Sequence, residues 1–176
     1  AMVLEAQVQR MLADPRAETL TTSTAFHGSV KSKRSLIPMH GWYERQPSTT
    51  EGKKTKTPFY MHAADDQLLF MAGLWSTWRP KGENDVAPLV SCTIITTAAN
   101  ETVEPVHNRM PVILGDPEIE RAWMSGNLEV DEAIGLCKPL DAARMTAKPA
   151  NPALNKVGGT KEGPDFLEAP EPSSSD

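Results

Sequence analysis

The 176-residue chain has no apolar run near the roughly 18 residues that a membrane-spanning helix needs, which excludes a helical membrane protein. Its first 15 residues lack a basic leader followed by a continuous apolar block, so neither a secretory signal nor a transit peptide is expected. It has only two cysteines, Cys92 and Cys137, too few for a disulfide framework, and a reduced cytoplasmic protein is the default expectation. The four histidines, His27, His40, His62 and His107, show no paired ligand spacing, and neither CxxC nor HxxxH occurs. No metal and no other cofactor is therefore expected. A glycine-rich phosphate loop and a GxSxG elbow are also absent, which removes nucleotide-binding enzymes and serine hydrolases of those kinds. The formal net charge of −5 excludes a broad electrostatic nucleic-acid binder of the histone type, so any nucleic-acid contact has to be local.

The charge that is present is polarised along the chain. Between His27 and Tyr60, seven basic residues (Lys31, Lys33, Arg34, Arg45, Lys53, Lys54, Lys56) meet two acids, a net +5. Between Asp116 and Leu136, six acids meet one arginine, a net −5. Two solvated faces account for this pattern, and a phosphate-binding surface is the alternative.

Periodicity predicts an α+β fold with a curved, barrel-like, mostly antiparallel sheet and peripheral helices. Strands are expected over 35–46, 58–62, 68–78, 90–98 and 112–114, which are short and rich in β-branched and aromatic residues. The polar stretch from Pro47 to Pro58 reads as an exposed hairpin loop. Helices are expected over 3–12, from Asp116-Pro117-Glu118 onward, and over 131–137. One domain is expected over residues 1–168, followed by a disordered acidic, serine- and proline-rich tail over 169–176.

Three places present chemistry. Arg16 and Glu18 form either a local ion pair or, through the planar guanidinium, a phosphate clamp. In Gly41-Trp42-Tyr43-Glu44, strand parity sends Trp42 and Glu44 to one side and Tyr43 and Arg45 to the other. A carboxylate desolvated by aromatic surface can exchange protons near neutrality, whereas an exposed or paired one is inert. His107 lies in a proline-bounded segment, Pro105 to Pro111, from which an imidazole can shuttle protons and Arg109 can meet an anion; a surface or core histidine is the plain alternative. Cys92, in an apolar strand, and Cys137, at a helix end, read as small buried hydrophobes.

Read in order, Arg16-Ala17-Glu18-Thr19, Ala25-Phe26, Leu36-Ile37-Pro38, Gly41-Trp42-Tyr43-Glu44, Ala72-Gly73-Leu74-Trp75, Cys92 to Asn100 (CTIITTAAN) and His107 to Leu114 (HNRMPVIL) resemble the SOS-response-associated peptidase (SRAP) family. The resemblance covers roughly residues 11–168. It implies a protein of the DNA-damage response that senses abasic sites in single-stranded DNA. In the family, an N-terminal cysteine exposed by self-removal of the initiator methionine condenses with the ring-opened sugar: its amine forms an imine and its thiolate closes a thiazolidine. Carried over by position, Glu44 is the proton-transfer residue and His107 protonates or orients the imine. Arg16 and Arg109 are backbone clamps, and Asp14 stands where the family has asparagine. The binding-module alternative adds Lys31, Lys33 and Arg34 as phosphate contacts and Trp42 and Trp75 as stacking platforms.

The sequence begins Ala1-Met2-Val3 where the family begins Met-Cys-Gly-Arg, so crosslinking is expected to be impaired, with Ala1 read as a tag remnant or the start as shortened. Neither Cys92 nor Cys137 can substitute, because an internal cysteine's nitrogen is an unreactive amide. Three readings follow: an SRAP abasic-site protein with a partial site, a non-catalytic single-stranded DNA-binding module, and a residual lyase in which Ala1's amine forms a transient imine. The partner in each is single-stranded DNA, in the cytoplasm, and at the nucleoid if the protein is bacterial.

Overall fold

A computed structural model of the chain describes residues 14–50, 52–83, 85–156, 163 and 167. The helix expected over 3–12 and the tail expected over 169–176 lie outside the described residues. In chain order the elements are α1 (His27–Ser32), β1 (Arg34–Met39), β2 (Gly41–Thr50), β3 (Lys53–Ala63), β4 (Leu69–Trp78), β5 (Leu89–Ile94), β6 (Thr96–Ala98), β7 (Arg109–Pro111), α2 (Pro117–Met124), α3 (Val130–Gly135) and β8 (Met145–Pro149), with short 3-10 turns between some of them. The fold is α+β, and its sheets are open: β1-β4-β5, β2-β3-β8 and β6-β7. The pairings β2–β3, β3–β8 and β4–β5 are antiparallel, as expected, and no sheet closes into a barrel among the described residues.

The chain forms two compact units. The first joins Ala1–Pro38, Phe70–Ala98 and Met110–Leu140. Its central strand is β4, whose first six residues are nearly all buried: the Ala72 N–H donates to the Val112 carbonyl at 2.9 Å and the Leu114 N–H to the Phe70 carbonyl at 3.0 Å, which sets this half of the strand against the buried 112–114 segment, while β5 pairs only from Gly73 onward. Leu74, Ile95, Val112, Leu20, Val30 and Trp123 close the core around it. The helix predicted after Asp116 begins there: Asp116 is extended, its carbonyl accepts the Glu120 N–H at 3.0 Å, and Pro117 occupies the first turn, where no N–H partner is needed. The next helix starts at Val130 because Glu129 and Glu132 form a reciprocal capping box, with the Glu129 N–H donating to Glu132 Oε2 at 2.9 Å.

Two expectations fail in this unit. Cys92 is exposed, not buried, because β5 is an edge strand whose outer positions, including Val90 and Leu89, face solvent. Arg34 is 7% exposed and does not present its charge to a ligand. Its Nη1 donates to the Val30 carbonyl at 2.8 Å, its Nε donates to the Trp123 carbonyl, and the guanidinium lies 5.6 Å from the Trp123 ring centre. Trp123 answers by donating its indole N–H to the Ser35 carbonyl at 3.0 Å. Buried charge-assisted hydrogen bonds of this kind stand in for the water that Arg34 gives up.

The second unit joins Met39–Leu69, Ala99–Arg109 and Asp141–Asp176. The strand expected over 35–46 is interrupted at His40, and its halves enter different sheets. The segment expected as a polar loop is mostly strand: β2 and β3 pair without interruption from Gly41↔His62 to Thr50↔Lys53. Threonines favour extended backbone, Ser48 Oγ and Thr55 Oγ1 bond across the strands at 2.7 Å, and Gly52, at φ 76°, takes the left-handed turn. No strand was expected over β8, which ends at Pro149 on the sheet edge, where a missing N–H costs no ladder bond. Met61, Ala63, Val103, Val106, Met145, Ala150 and Leu154 are the buried apolar residues here.

Two outcomes are expected. Replacing Arg34 with Ala lowers unfolding free energy by about 3 kcal/mol, because the carbonyls of Val30, Lys31 and Trp123 lose a charged donor; urea denaturation measures it. Burial pushes the Cys137 thiol up to about 12 from 9.0. The folded protein therefore holds this proton where the unfolded chain releases it, and the thiol's contribution to stability is lost as pH rises from about 9 toward 12. Cys137→Ala flattens that part of the stability profile, and a thiol reagent at pH 8 labels Cys92 in the native protein while sparing Cys137.

Candidate functional site

Glu44 sits on β2, the edge strand of the β2-β3-β8 sheet. Its Oε1 accepts the N–H of Arg45 at 3.0 Å, so the carboxylate takes an edge donor that no neighbouring strand in its sheet pairs. The residue is half-buried and faces the side of the hairpin shared by Trp42 and Gln46. Tyr43 and Arg45, of opposite parity, are exposed. Arg45 donates Nε to Asn155 Oδ1 at 3.1 Å and thereby holds the chain after β8 against the hairpin.

His107 ends a compact helical turn. The N–H groups of Val103 and Glu104 donate to the Asn100 carbonyl, and those of Val106 and His107 donate to Val103. Asn100 Oδ1 also accepts the Val103 N–H at 3.1 Å, as a side chain does at a helix start. Val103 and Val106 are buried, and Thr102 Oγ1 donates to the Ala142 carbonyl at 3.0 Å. The half-buried imidazole is anchored locally, for the Arg109 N–H donates to Nδ1 at 3.1 Å. With its proton on Nε2, the neutral ring accepts this bond at Nδ1. The Arg109 carbonyl, also 3.1 Å from Nδ1, accepts a hydrogen bond from that nitrogen when it carries a proton. The backbone of Arg109 thus offers Nδ1 a partner whether that nitrogen is bare or protonated, by its N–H in the first case and its carbonyl in the second.

Sequence parity missed the residue that links these parts. Gln46 Nε2 donates to the Pro105 carbonyl at 2.7 Å, tying β2 two residues beyond Glu44 to the turn two residues before His107. Its placement two residues after Glu44 on a strand was the available signal. An array on the other face was also missed. The Tyr43 and Tyr60 ring centres lie 5.3 Å apart, His62 stacks on Tyr60 at 5.2 Å and 17°, and His62 Nδ1 lies 2.9 Å from Asp66 Oδ1. Burial raises the phenol of Tyr43; burial, then the charges of Tyr43 and Asp66, raise that of Tyr60, so both stay protonated donors at neutral pH. Gly41 makes room for this array, since a β-carbon there would collide with the Met61 carbonyl and meet the Tyr60 ring at 2.6 Å.

The remaining candidates lie in the first unit. Arg16 and Asp14 are exposed, with Nε and Oδ2 4.0 Å apart, so the ion pair of Arg16 is made with Asp14. Asp14 Oδ1 also accepts the Thr96 hydroxyl at 3.0 Å, and Arg16 bridges Thr96 in parallel. Lys33 Nζ stands 5.4 Å from the ring centre of Trp75, which is 36% exposed. Among the described residues no group of three or more His, Cys, Asp or Glu side chains could hold a metal ion, and no helix is long and apolar enough to cross a membrane.

Comparison with known proteins decides the family. The pattern of the SOS response associated peptidase (SRAP) family matches residues 2–157. The chain belongs to that family. It is 36% identical over 160 residues to the abasic site processing protein YoqW of Bacillus subtilis, covering 90% of this chain and 67% of that protein. It is 32% identical over 155 residues to YedK of Escherichia coli (85% and 63%), and 30% identical over 159 residues to HMCES of Xenopus tropicalis (80% and 45%), both named abasic site processing proteins. The chain thus spans two thirds or less of these relatives. Among solved structures, a protein from Bacteroides thetaiotaomicron is similar at TM-score 0.79 and 27% identity, over 94% of this chain and 68% of that one.

The SRAP hairpin supplies a structural test of its first glycine. Gly41→Ala lowers stability by about 2 kcal/mol or more, through displacement of the Tyr60 ring and the Met61 peptide. Thermal unfolding reads the loss, and near-ultraviolet circular dichroism reads the disturbed tyrosines.

Proposed function

We propose that this SRAP chain recognises abasic sites in single-stranded DNA, with Glu44 and His107 as its proton-transfer pair. The observation that carries the reading is the Gln46 bridge: within one unit, the strand bearing Glu44 is hydrogen-bonded to the turn bearing His107. The names of the relatives agree with it, since YoqW, YedK and HMCES are abasic site processing proteins.

The ring-opened sugar of an abasic site carries an aldehyde. An amine adds to its carbonyl carbon and gives a carbinolamine, and expulsion of water needs an acid at the departing hydroxyl. Glu44 supplies that proton and recovers one as the amine is deprotonated. His107 acts as the acid in its charged form: the ring gives its Nε2 proton to the sugar oxygen, is left neutral with its remaining proton on Nδ1 facing the Arg109 carbonyl, and recovers a proton at Nε2 when that oxygen releases one. Ring closure to a thiazolidine requires a thiol on the residue that supplied the amine: the sulfur adds to the imine carbon and the nitrogen keeps one hydrogen. Cys92 and Cys137 are internal, so neither performs that step. Arg16 and Arg109 hold phosphates, and Asp14, which pairs with Arg16, lowers the positive field beside that contact. Trp42 stacks against the lesion strand.

A specific observation favours a binding contribution from the first unit: Lys33 above Trp75 presents a cation and a ring together, the combination that grips a phosphate and a base without reading sequence. Arg34 has no part in it.

An abasic oligonucleotide incubated with the protein, with and without borohydride, tests the reading. The expected outcome is tighter retention of the abasic strand than of its intact counterpart, with covalent product reduced about 100-fold or more by Glu44→Gln or His107→Ala. Equal retention of both strands and no covalent product would reduce the chain to a general single-stranded DNA binder. Lys33→Ala is expected to lower the slope of log affinity against log salt by about 0.7 and to leave covalent chemistry intact.

A further inference from the structure

We infer that Gln46 is a positioning residue, which sets the orientation of the His107 imidazole through the carbonyl of Pro105; this rests on the proton-transfer reading of Glu44 and His107. The last carbonyls of a helical turn have no partner within the turn. In the turn that ends at His107, Val103 N–H is met by Asn100 at the start, and the Pro105 carbonyl at the far end is met by Gln46 Nε2 at 2.7 Å. The Pro105 carbonyl belongs to the peptide plane that leads into Val106, and Val106 and His107 are in turn bonded back to Val103.

The turn is held at three points of different character. Val103 and Val106 anchor it by burial, Thr102 binds it to the Ala142 carbonyl, and Gln46 binds it to β2. The first two resist removal of the turn from the unit. The third reaches the strand that carries Glu44, two residues away and on the same side of the hairpin. Gln46 therefore couples the position of the base-bearing turn to the edge of β2. A side chain that does not touch the sugar sets how the imidazole lies relative to the carboxylate. Catalytic groups tolerate little misplacement, so the loss of such a tie is felt in rate far more than in stability.

Two variants separate the donor from the bulk of the side chain. Gln46→Glu keeps the shape and replaces the N–H donor with a carboxylate that repels the Pro105 carbonyl; Gln46→Ala removes both. The first readout is nuclear magnetic resonance of the His107 ring in the free protein, followed as pH is raised. Both variants are expected to move its titration midpoint and ring shifts, while the Val103 and Val106 methyl signals stay in place. The second readout is borohydride-trapped product with an abasic oligonucleotide. It is expected to fall about tenfold or more in both variants, with retention of an intact oligonucleotide unchanged. Gln46→Arg, which restores an N–H donor of longer reach, is expected to recover part of the loss. His107 signals that superimpose on wild type in both Gln46→Glu and Gln46→Ala overturn the inference. If wild-type protein itself gives no trapped product, the functional reading fails, and the ring titration alone decides whether Gln46 positions His107.

Discussion

The candidate site depends on the register between β2 and β3. Side chains on a strand alternate, so a slip of one residue would carry Glu44, Trp42 and Gln46 to the face now held by Tyr43 and Arg45. Two features oppose that slip. Met61, opposite Trp42, is fully buried and would have to enter solvent. At Gly41, opposite His62, the Tyr60 ring lies where a β-carbon would meet it. Apolar burial on one face and the absence of a side chain on the other thus hold the same alignment, and the carboxylate's place at the sheet edge follows from it.

Each unit solves a polar burden in its own way. In the first, a guanidinium is drawn into the core and compensated by carbonyls at the ends of two helices, Val30 and Trp123, with the indole N–H returning a bond to Ser35. In the second, polar side chains stay near the surface and act as ties: Gln46 to Pro105, Thr102 to Ala142, Asn155 to Lys56 and Arg45 to Asn155. The first arrangement stabilises a core, and the second locates turns. The proposed proton transfer requires accurate placement of half-buried groups, and ties of the second kind serve that requirement.

Much of the site was legible in the residues. Alternation placed Trp42 and Glu44 on one side and Tyr43 and Arg45 on the other, and the hairpin keeps that division. The proline-bounded segment around His107 was readable as a place that presents side chains, although its compact helical turn was not, because the bonds that close it come from Asn100 and from β2. Arg34 was read as a phosphate contact on charge alone. Its burial follows from Trp123, 89 residues later, and no local pattern announces such a partner. Cys92 looked buried for the opposite reason: its strand is rich in apolar residues, but that strand lies at a sheet edge and turns its outer residues to solvent.

The sequence by itself determined the α+β class, most strand and helix positions, and the family, because alternation, capping residues and ordered motif blocks are local properties of a chain. Tertiary structure alone decided the division into separate open sheets, the extension of the hairpin through its polar residues, the addition of β8, and the Gln46 tie between Glu44's strand and His107's turn. These rest on hydrogen bonds and burial between residues far apart in sequence. Their free energy comes from removing specific distant groups from water together, and no short segment carries a record of which groups those are.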